Sequence, residues 1–155
     1  MKKIIILLCC FFFTNICHAE IIKQDNQIIS YHKEAKLNDF IYGTIFKKYD
    51  NQFYVQSKLL HSLNKGGYVV LLEDAKIITD KEISYLPIRT SEVYCGFRQK
   101  FSIKLSDNIV TNIKHTNKLD IVLPYYKDGS DLFVQYKTIT IPTDILSEWK
   151  QVISM

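Results

Sequence analysis

Beyond the first 19 residues, the side chains best suited to covalent chemistry are one cysteine and three histidines. Cys95 lies in the run Tyr94-Cys95-Gly96-Phe97-Arg98. A thiol nucleophile needs a base within hydrogen-bonding reach and a positive environment that favours the thiolate. The available bases are His32, His61 and His115, but their spacing places none of them beside the sulfur. An aromatic, strand-like run is also typical of a buried cysteine. We therefore predict no enzymatic activity, and a small cysteine hydrolase using Cys95 is the catalytic alternative.

Metal and cofactor motifs are absent from the sequence. The three histidines beyond residue 19 are separated by 29 and 54 residues, and this part of the chain has none of the close His or Cys pairs of zinc sites. The acidic segment Asp128-Gly129-Ser130-Asp131 lacks the spaced ligands of a calcium loop, and a hairpin turn explains it. Gly66-Gly67 precedes a strand-like run, which is the wrong order for a phosphate-binding loop. We expect no metal and no cofactor.

Aromatic residues are the remaining indication of a binding role. Tyr and Phe number 10 and 9 with a single Trp, which is 13% of the chain. Tyrosine is common at recognition surfaces because it provides large contact area with little loss of rotamer freedom. We predict partner contacts at Tyr125, Tyr126, Asp128 and Trp149. The alternatives are ordinary sheet packing of these residues and a sugar-stacking surface.

The first 19 residues carry the features of a secretory signal peptide. Lys2 and Lys3 precede ten apolar residues, 4–13, and Cys17-His18-Ala19 places small residues at positions −3 and −1 of a cut before Glu20. Ten apolar residues are too few to span a membrane. Cys9, Cys10 and Cys17 lie in this segment, but their surroundings fit lipid attachment poorly. We expect a periplasmic protein, with release to the medium as the alternative.

The charge balance of the chain argues against nucleic acid as a partner. Loss of Lys2 and Lys3 lowers the formal charge from +4 to +2, and no block of like charges occurs. A nucleic-acid interface needs a concentrated basic face. We therefore expect protein partners in the cell envelope, no nucleic acid and no stable membrane insertion after cleavage.

The first half of the mature chain gives weak structural signals. Residues 20–36 are compatible with an extended arm or an edge strand, and residues 37–46 favour a strand with a bulge at Gly43. Ser57 can begin a short helix that reaches Leu63 and ends at Gly66-Gly67. The apolar run 68–72 predicts a buried central strand. Residues 77–86 favour neither a helix nor a strand, and Pro87 interrupts this segment.

The second half is clearer. Alternation at Phe101, Ile103 and Leu105, with turn residues at 106–108, predicts a hairpin over 100–114 that follows a strand at 93–97. A second hairpin joins 119–126 to 132–141 through the Asp-Gly turn. Apolar residues from Ile145 to Ile153 lie on one face of a terminal helix, capped by Thr143.

Together these signals predict one α+β domain at residues 20–155. It should contain an antiparallel sheet of about five to seven strands, a short internal helix and a C-terminal amphipathic helix packed on the sheet. The leading functional hypothesis is a non-enzymatic accessory component of a surface-assembly, pilus or secretion system. The alternatives are an immunity or inhibitor protein against a toxin or cell-wall hydrolase, and a secreted effector.

The predicted signal peptide has a direct test. Intact-mass spectrometry of the exported protein should give a chain that begins at Glu20, because Ala19 supplies the small residue at position −1. A mature chain that retains Met1 to Ala19 would contradict the predicted compartment.

Overall fold

Antiparallel strands and two helices make up the described part of the chain. The computed structural model describes residues 20–36, 41–60, 68–70, 73–94, 98–127 and 133–155. Its strands are β1 (Glu20–Gln24), β2 (Gln27–Lys36), β3 (Ile41–Tyr49), β4 (Gln52–Leu60), β5 (Tyr68–Val70), β6 (Asp74–Thr79), β7 (Ile83–Tyr94), β8 (Arg98–Leu105), β9 (Leu119–Lys127) and β10 (Gln135–Thr140). Its helices are α1 (Asp107–His115) and α2 (Thr143–Ser154).

Nine strands follow one another in the sheet in the order β1-β2-β3-β4-β8-β7-β6-β9-β10, and the short β5 pairs with β9 beside them. Every neighbouring pair is antiparallel. The α+β class is confirmed, whereas the expected five to seven strands are too few. The main omissions are the separate strands β1 and β2, where the sequence suggested a single arm or edge strand, and the long strand β7.

Two tight turns organise the first four strands. Gln24 pairs with Gln27 across a two-residue turn in which Asp25 has φ 40°. Tyr49 pairs with Gln52 across Asp50 and Asn51, whose φ angles are 47° and 59°. Two successive positive φ angles characterise the hairpin turns that match the twist of the flanking strands, and Asp and Asn tolerate them well. These turns join β1 to β2 and β3 to β4, and β2 pairs with β3, so the four strands are consecutive antiparallel neighbours.

Pro87 lies where β7 changes neighbours. Residues 83–87 of β7 pair with β6, and residues 88–94 pair with β8. The N–H of Ile88 donates to the carbonyl of Glu73 at 3.0 Å, which closes the β6 side just after the proline. Proline has no N–H to donate to a neighbouring strand. The lost hydrogen bond costs little where a strand changes from one neighbouring strand to another. Pro87 therefore does not end the strand, as the sequence suggested, but marks its passage between two parts of the sheet.

The internal helix occupies a segment for which the sequence predicted a strand. Residues 109–113, expected as the second arm of a hairpin, belong to α1. Ile109, Val110 and Ile113 are buried at positions i, i+1 and i+4, which is one face of a helix. A short apolar run is compatible with either period, and burial against the sheet decides in favour of the helix.

The helix expected from Ser57 is absent as far as the chain is described there. Ser57 lies inside β4 and pairs with Phe101 of β8, while β3 flanks β4 on the other side. Ladder hydrogen bonds from two neighbouring strands override a local capping signal. The rest of the expected helix, residues 61–67, lies outside the described residues.

The other expected strands have mixed outcomes. Tyr68 to Val70 form the expected strand, β5, which pairs with β9 outside the main strand order. The bulge expected at Gly43 is confirmed by a register shift between Tyr42 and Ile45. The alternation of β8 is confirmed, with Phe101, Ile103 and Leu105 all buried.

The hairpin of β9 and β10 is also confirmed, in a register that pairs Tyr125 with Gln135 and Asp120 with Thr140. Its turn, residues 128–132, lies outside the described residues. The expected strand at 93–97 is seen as the end of β7, and residues 95–97 are not described.

Helix α2 covers the sheet through Trp149. The indole is fully buried and stacks on Phe46 of β3 with ring centroids 4.8 Å apart. Phe46 in turn contacts Phe53 of β4 at 5.9 Å. The hydroxyl of Ser30 in β2 donates to Glu148 Oε2 at 3.1 Å, which adds a polar contact between helix and sheet. The predicted packing of the terminal helix is confirmed, although its N-cap is Pro142 and not Thr143.

Trp149→Ala should lower the free energy of unfolding by about 3–5 kcal/mol, because it opens a cavity between α2 and β3. Urea denaturation of the mature protein measures this change. Gln151→Ala, an exposed change on the same helix, is the matched control and should stay within about 0.5 kcal/mol of the wild type. Equal stabilities of the two variants would contradict the packing of α2.

Candidate functional site

The strands β7, β6, β9 and β10 present two different faces. Ala75, Ile77, Ile121, Leu123 and Ile139 are buried and belong to the same hydrophobic core as the helices. Successive side chains of a strand point to opposite faces, so the residues between them form an outer face. We call this surface the outer face of β6, β7, β9 and β10.

A row of paired residues crosses the outer face. Lys76 of β6 is opposite Tyr85 of β7 on one side and Val122 of β9 on the other. Val122 is in turn opposite Thr138 of β10. With neighbouring strands about 4.8 Å apart, the row is about 14 Å long. This width suits an extended segment or a loop of another molecule.

A groove of about 680 Å³ lies along this row. Its lining residues, from all four strands and the segment before β6, are Glu73, Asp74, Lys76, Ile78, Tyr85, Val122, Tyr136 and Thr138. Tyr85 is 63% exposed and Tyr136 is 67% exposed, on strands separated by β6 and β9. The groove therefore combines two accessible aromatic rings, an aliphatic floor at Ile78 and Val122, and charged groups of both signs.

Asp120 is a buried charge on the outer face beside the groove. It lies opposite Ile78 of β6 and Thr140 of β10, and its residue surface is 7% exposed. Lys118 Nζ contacts Asp120 Oδ2 at 2.9 Å. Burial opposes ionisation of this carboxyl, but the nearby side chain of Thr140 and the ammonium group of Lys118 favour the charged form and outweigh it. The pKa of Asp120 is therefore below its usual value, and the carboxylate is charged at neutral pH.

The turn between β6 and β7 is fastened to both ends of α1. At one end, Asn108 Nδ2 donates to both carboxylate oxygens of Glu82 at 3.0 Å. At the other end, the N–H of Asp80 donates to the buried hydroxyl of Thr116 at 3.1 Å, and the N–H of Asn117 donates to Asp80 Oδ2 at 2.6 Å. The bond from Asn117 holds the pKa of Asp80 below its usual value. These contacts fix the strand ends from which Ile78 and Tyr85 extend.

The contact residues expected from the sequence lie elsewhere. Trp149 is in the core, so its side chain is not a surface contact. Tyr125 is half-buried, shares the strand alternation of the buried Leu123, and donates its hydroxyl to Gln135 Oε1 at 2.8 Å. Tyr126 pairs with Val69 through the backbone, and its side chain is outside the description. Asp128 lies outside the described residues.

The residues weighed for catalysis are not brought together in the described part of the chain. Cys95 and His61 lie outside the described residues, and His32 is described only through its place in β2. His115 is exposed in the last turn of α1. No group of three or more potential metal ligands occurs among the described residues. Neither described helix is long and apolar enough to cross a membrane.

Tyr85 and Tyr136 are the aromatic residues that sequence reasoning missed. A signal for Tyr136 exists, because Tyr136, Thr138 and Thr140 alternate with the apolar residues Ile139 and Ile141. That pattern assigns Tyr136 to the polar face of the strand. Tyr85 had no comparable signal, since Pro87 obscured the strand that contains it.

Comparisons with known proteins do not assign a family. No protein-family profile matches the sequence, and no curated protein matches it. Among solved structures, invasion-associated protein B from Bartonella henselae matches with a TM-score of 0.40 and 12% identity, over 88% of this chain and 96% of that chain. A likeness at this TM-score supports no argument about fold or function.

Asp120→Asn should lower the free energy of unfolding at neutral pH by about 1–3 kcal/mol, because it removes a charged hydrogen-bond acceptor from a buried site. A lowered pKa means that the carboxylate stabilises the fold above the unfolded pKa of about 3.9 and loses this effect as the pH falls through the folded pKa. The difference from the wild type should therefore shrink toward low pH, as measured by urea denaturation at several pH values.

Asp74→Asn provides the matched control, since it makes the same charge change at an exposed position of the same sheet. We expect it to change the unfolding free energy by no more than about 0.5 kcal/mol. A difference between Asp120→Asn and the wild type that stayed constant down to about pH 2 would contradict the lowered pKa.

Proposed function

We propose that this protein is exported and acts without catalysis, by binding another protein through the outer face of β6, β7, β9 and β10. The observation that carries the proposal is the exposure of Tyr85 and Tyr136 on either side of one groove. Exposed aromatic residues around a concave surface are characteristic of binding sites, where tyrosine contributes both apolar area and a hydroxyl. Scattered single hydrophobic residues would not support this proposal.

The shape of the groove favours a protein segment as the ligand. It is open along the sheet and has an aliphatic floor formed by Ile78 and Val122. A peptide or loop can place side chains between the two tyrosines while its backbone meets the hydroxyl of Thr138. The width of about 14 Å accommodates such a segment.

The charges of the groove indicate the chemistry of the partner. Glu73 and Asp74 lie together at the start of β6, and both are exposed. A lysine or arginine of the partner would be attracted there, and Lys76 would favour a carboxylate or carbonyl nearer the middle. The proposed partner therefore offers an aromatic or aliphatic side chain next to a basic one.

Within the cell envelope, we propose an accessory role in a surface-assembly, pilus or secretion system. The support for this role is the predicted export signal, the small size of the domain and the proposed contact surface. An inhibitor of a toxin or cell-wall hydrolase is the competing role, since the same groove could hold a loop of one tightly bound target.

Site-specific photocrosslinking in the native envelope tests the contact surface. A photoreactive phenylalanine analogue at position 85 or 136 should crosslink to a protein partner, whereas the same analogue at position 49 should not. Tyr49 is a suitable control because it is 42% exposed at the end of β3, outside the groove. Tyr85→Ala should weaken binding of the captured partner by about tenfold or more.

The captured proteins distinguish the two roles. Several components of one assembly machine would support the accessory role, and a single stoichiometric toxin or hydrolase would support the inhibitor. No crosslink at 85 and 136, or equal crosslinking at 49, would contradict the proposed surface.

A further inference from the structure

Strand β10 is an open edge of the sheet. It ends the strand order and pairs with β9 on one side only, among the described residues. The N–H of Ile141 donates to the carbonyl of Leu119 at 2.9 Å, which shows which side of the strand faces β9. In an antiparallel strand, alternate residues direct their N–H and C=O groups to opposite sides. The backbone groups of Tyr136, Thr138 and Thr140 therefore point away from β9.

This edge lacks the usual protection against pairing. Natural edge strands are commonly interrupted by proline, a bulge or several charges. β10 contains no proline, its pairing with β9 has no register shift, and Lys137 is its only charged residue. Val134, at 41% exposure, and Phe133, at 75%, leave additional apolar surface next to the strand.

We propose that β10 pairs with β10 of a second copy of this chain, antiparallel and centred on Thr138. In this register Thr138 faces Thr138 of the second copy, and Tyr136 faces Thr140. The outward-pointing backbone groups of these residues then exchange hydrogen bonds across the two-fold axis. This inference does not depend on the proposed function.

The residues that face each other in this register are compatible with pairing to a second copy of β10. Lys137 lies opposite Ile139 of the second copy, so the two lysines are diagonal neighbours and no like charges are directly opposed. The exposed Val134 lies opposite Pro142, which is itself exposed in one copy. Thr–Thr and aromatic–Thr pairs at the centre are among the favourable cross-strand pairs.

The pairing has a consequence for the outer face. A two-fold axis that relates neighbouring edge strands in this way is perpendicular to the sheet, so the outer faces of both copies lie on the same side. The two grooves, each bordered by Tyr136, would then face a partner together, and a repetitive partner could bind both.

Disulfide trapping tests the register. In the Cys95→Ser background, Thr138→Cys places two thiols in a directly opposed pair, where the Cα separation of about 5.5 Å permits a disulfide. Thr140→Cys is the matched control, since four residues of offset separate the two thiols by about 13 Å. We expect mild oxidation of the exported protein to yield a covalent dimer for Thr138→Cys only. Equal dimer yields, or none for Thr138→Cys, would overturn the proposal.

Sedimentation analysis tests the edge without a crosslink. Thr138→Pro removes an N–H that points away from β9, so it should leave the fold intact and weaken dimerisation by at least about tenfold. Thr138→Ala keeps the N–H and should remain dimeric. Near-ultraviolet circular dichroism of Trp149 checks that both variants fold. A monomeric wild type, or equal dimerisation of the two variants, would refute the pairing. If Thr138→Pro does not fold, the disulfide experiment decides the proposal.

Discussion

The stack of Trp149 on Phe46 joins the last element of the chain to an early strand. The two residues are about a hundred positions apart, so their contact links the C-terminal helix to the first half of the sheet. It holds α2 against β3, and α1 and α2 share one hydrophobic core with the inner residues of both parts of the sheet. The rest of the architecture depends on this constraint, since a sheet with one apolar face needs a layer to cover it.

Because the helices cover one face of the sheet, only the other face is available for binding. The helices lie over the buried residues, so the opposite side of β6, β7, β9 and β10 is left for solvent or a partner. Tyr85 is held at a defined position because the turn between β6 and β7 is bonded to both ends of α1. The passage of β7 from β6 to β8 at Pro87 places Tyr85 in the groove-bearing part of the sheet. The groove thus follows from the layered arrangement, whereas the open edge at β10 follows from the strand order.

The errors of the sequence analysis have a common physical origin. The run 109–113 fits a strand and a helix equally well over so few residues, and packing against the sheet selects the helix. Ser57 carries a helix-capping signal, but it lies between two strands whose hydrogen bonds are worth more than a local cap. The aromatic character of Trp149 suggests a partner contact, but its burial depends on Phe46, which is distant in sequence. In each case a local preference was overruled by a non-local contact.

The sequence by itself determined the features that depend on local period and turn chemistry. These are the α+β class, the alternation of β8, the hairpin of β9 and β10, and the amphipathic C-terminal helix. Only the tertiary structure decided the strand order, the location of the internal helix, and the meeting of Tyr85 and Tyr136 across two intervening strands. Alternation assigns a side chain to one of two faces, but strand neighbours depend on long-range pairing, which a single chain pattern does not encode.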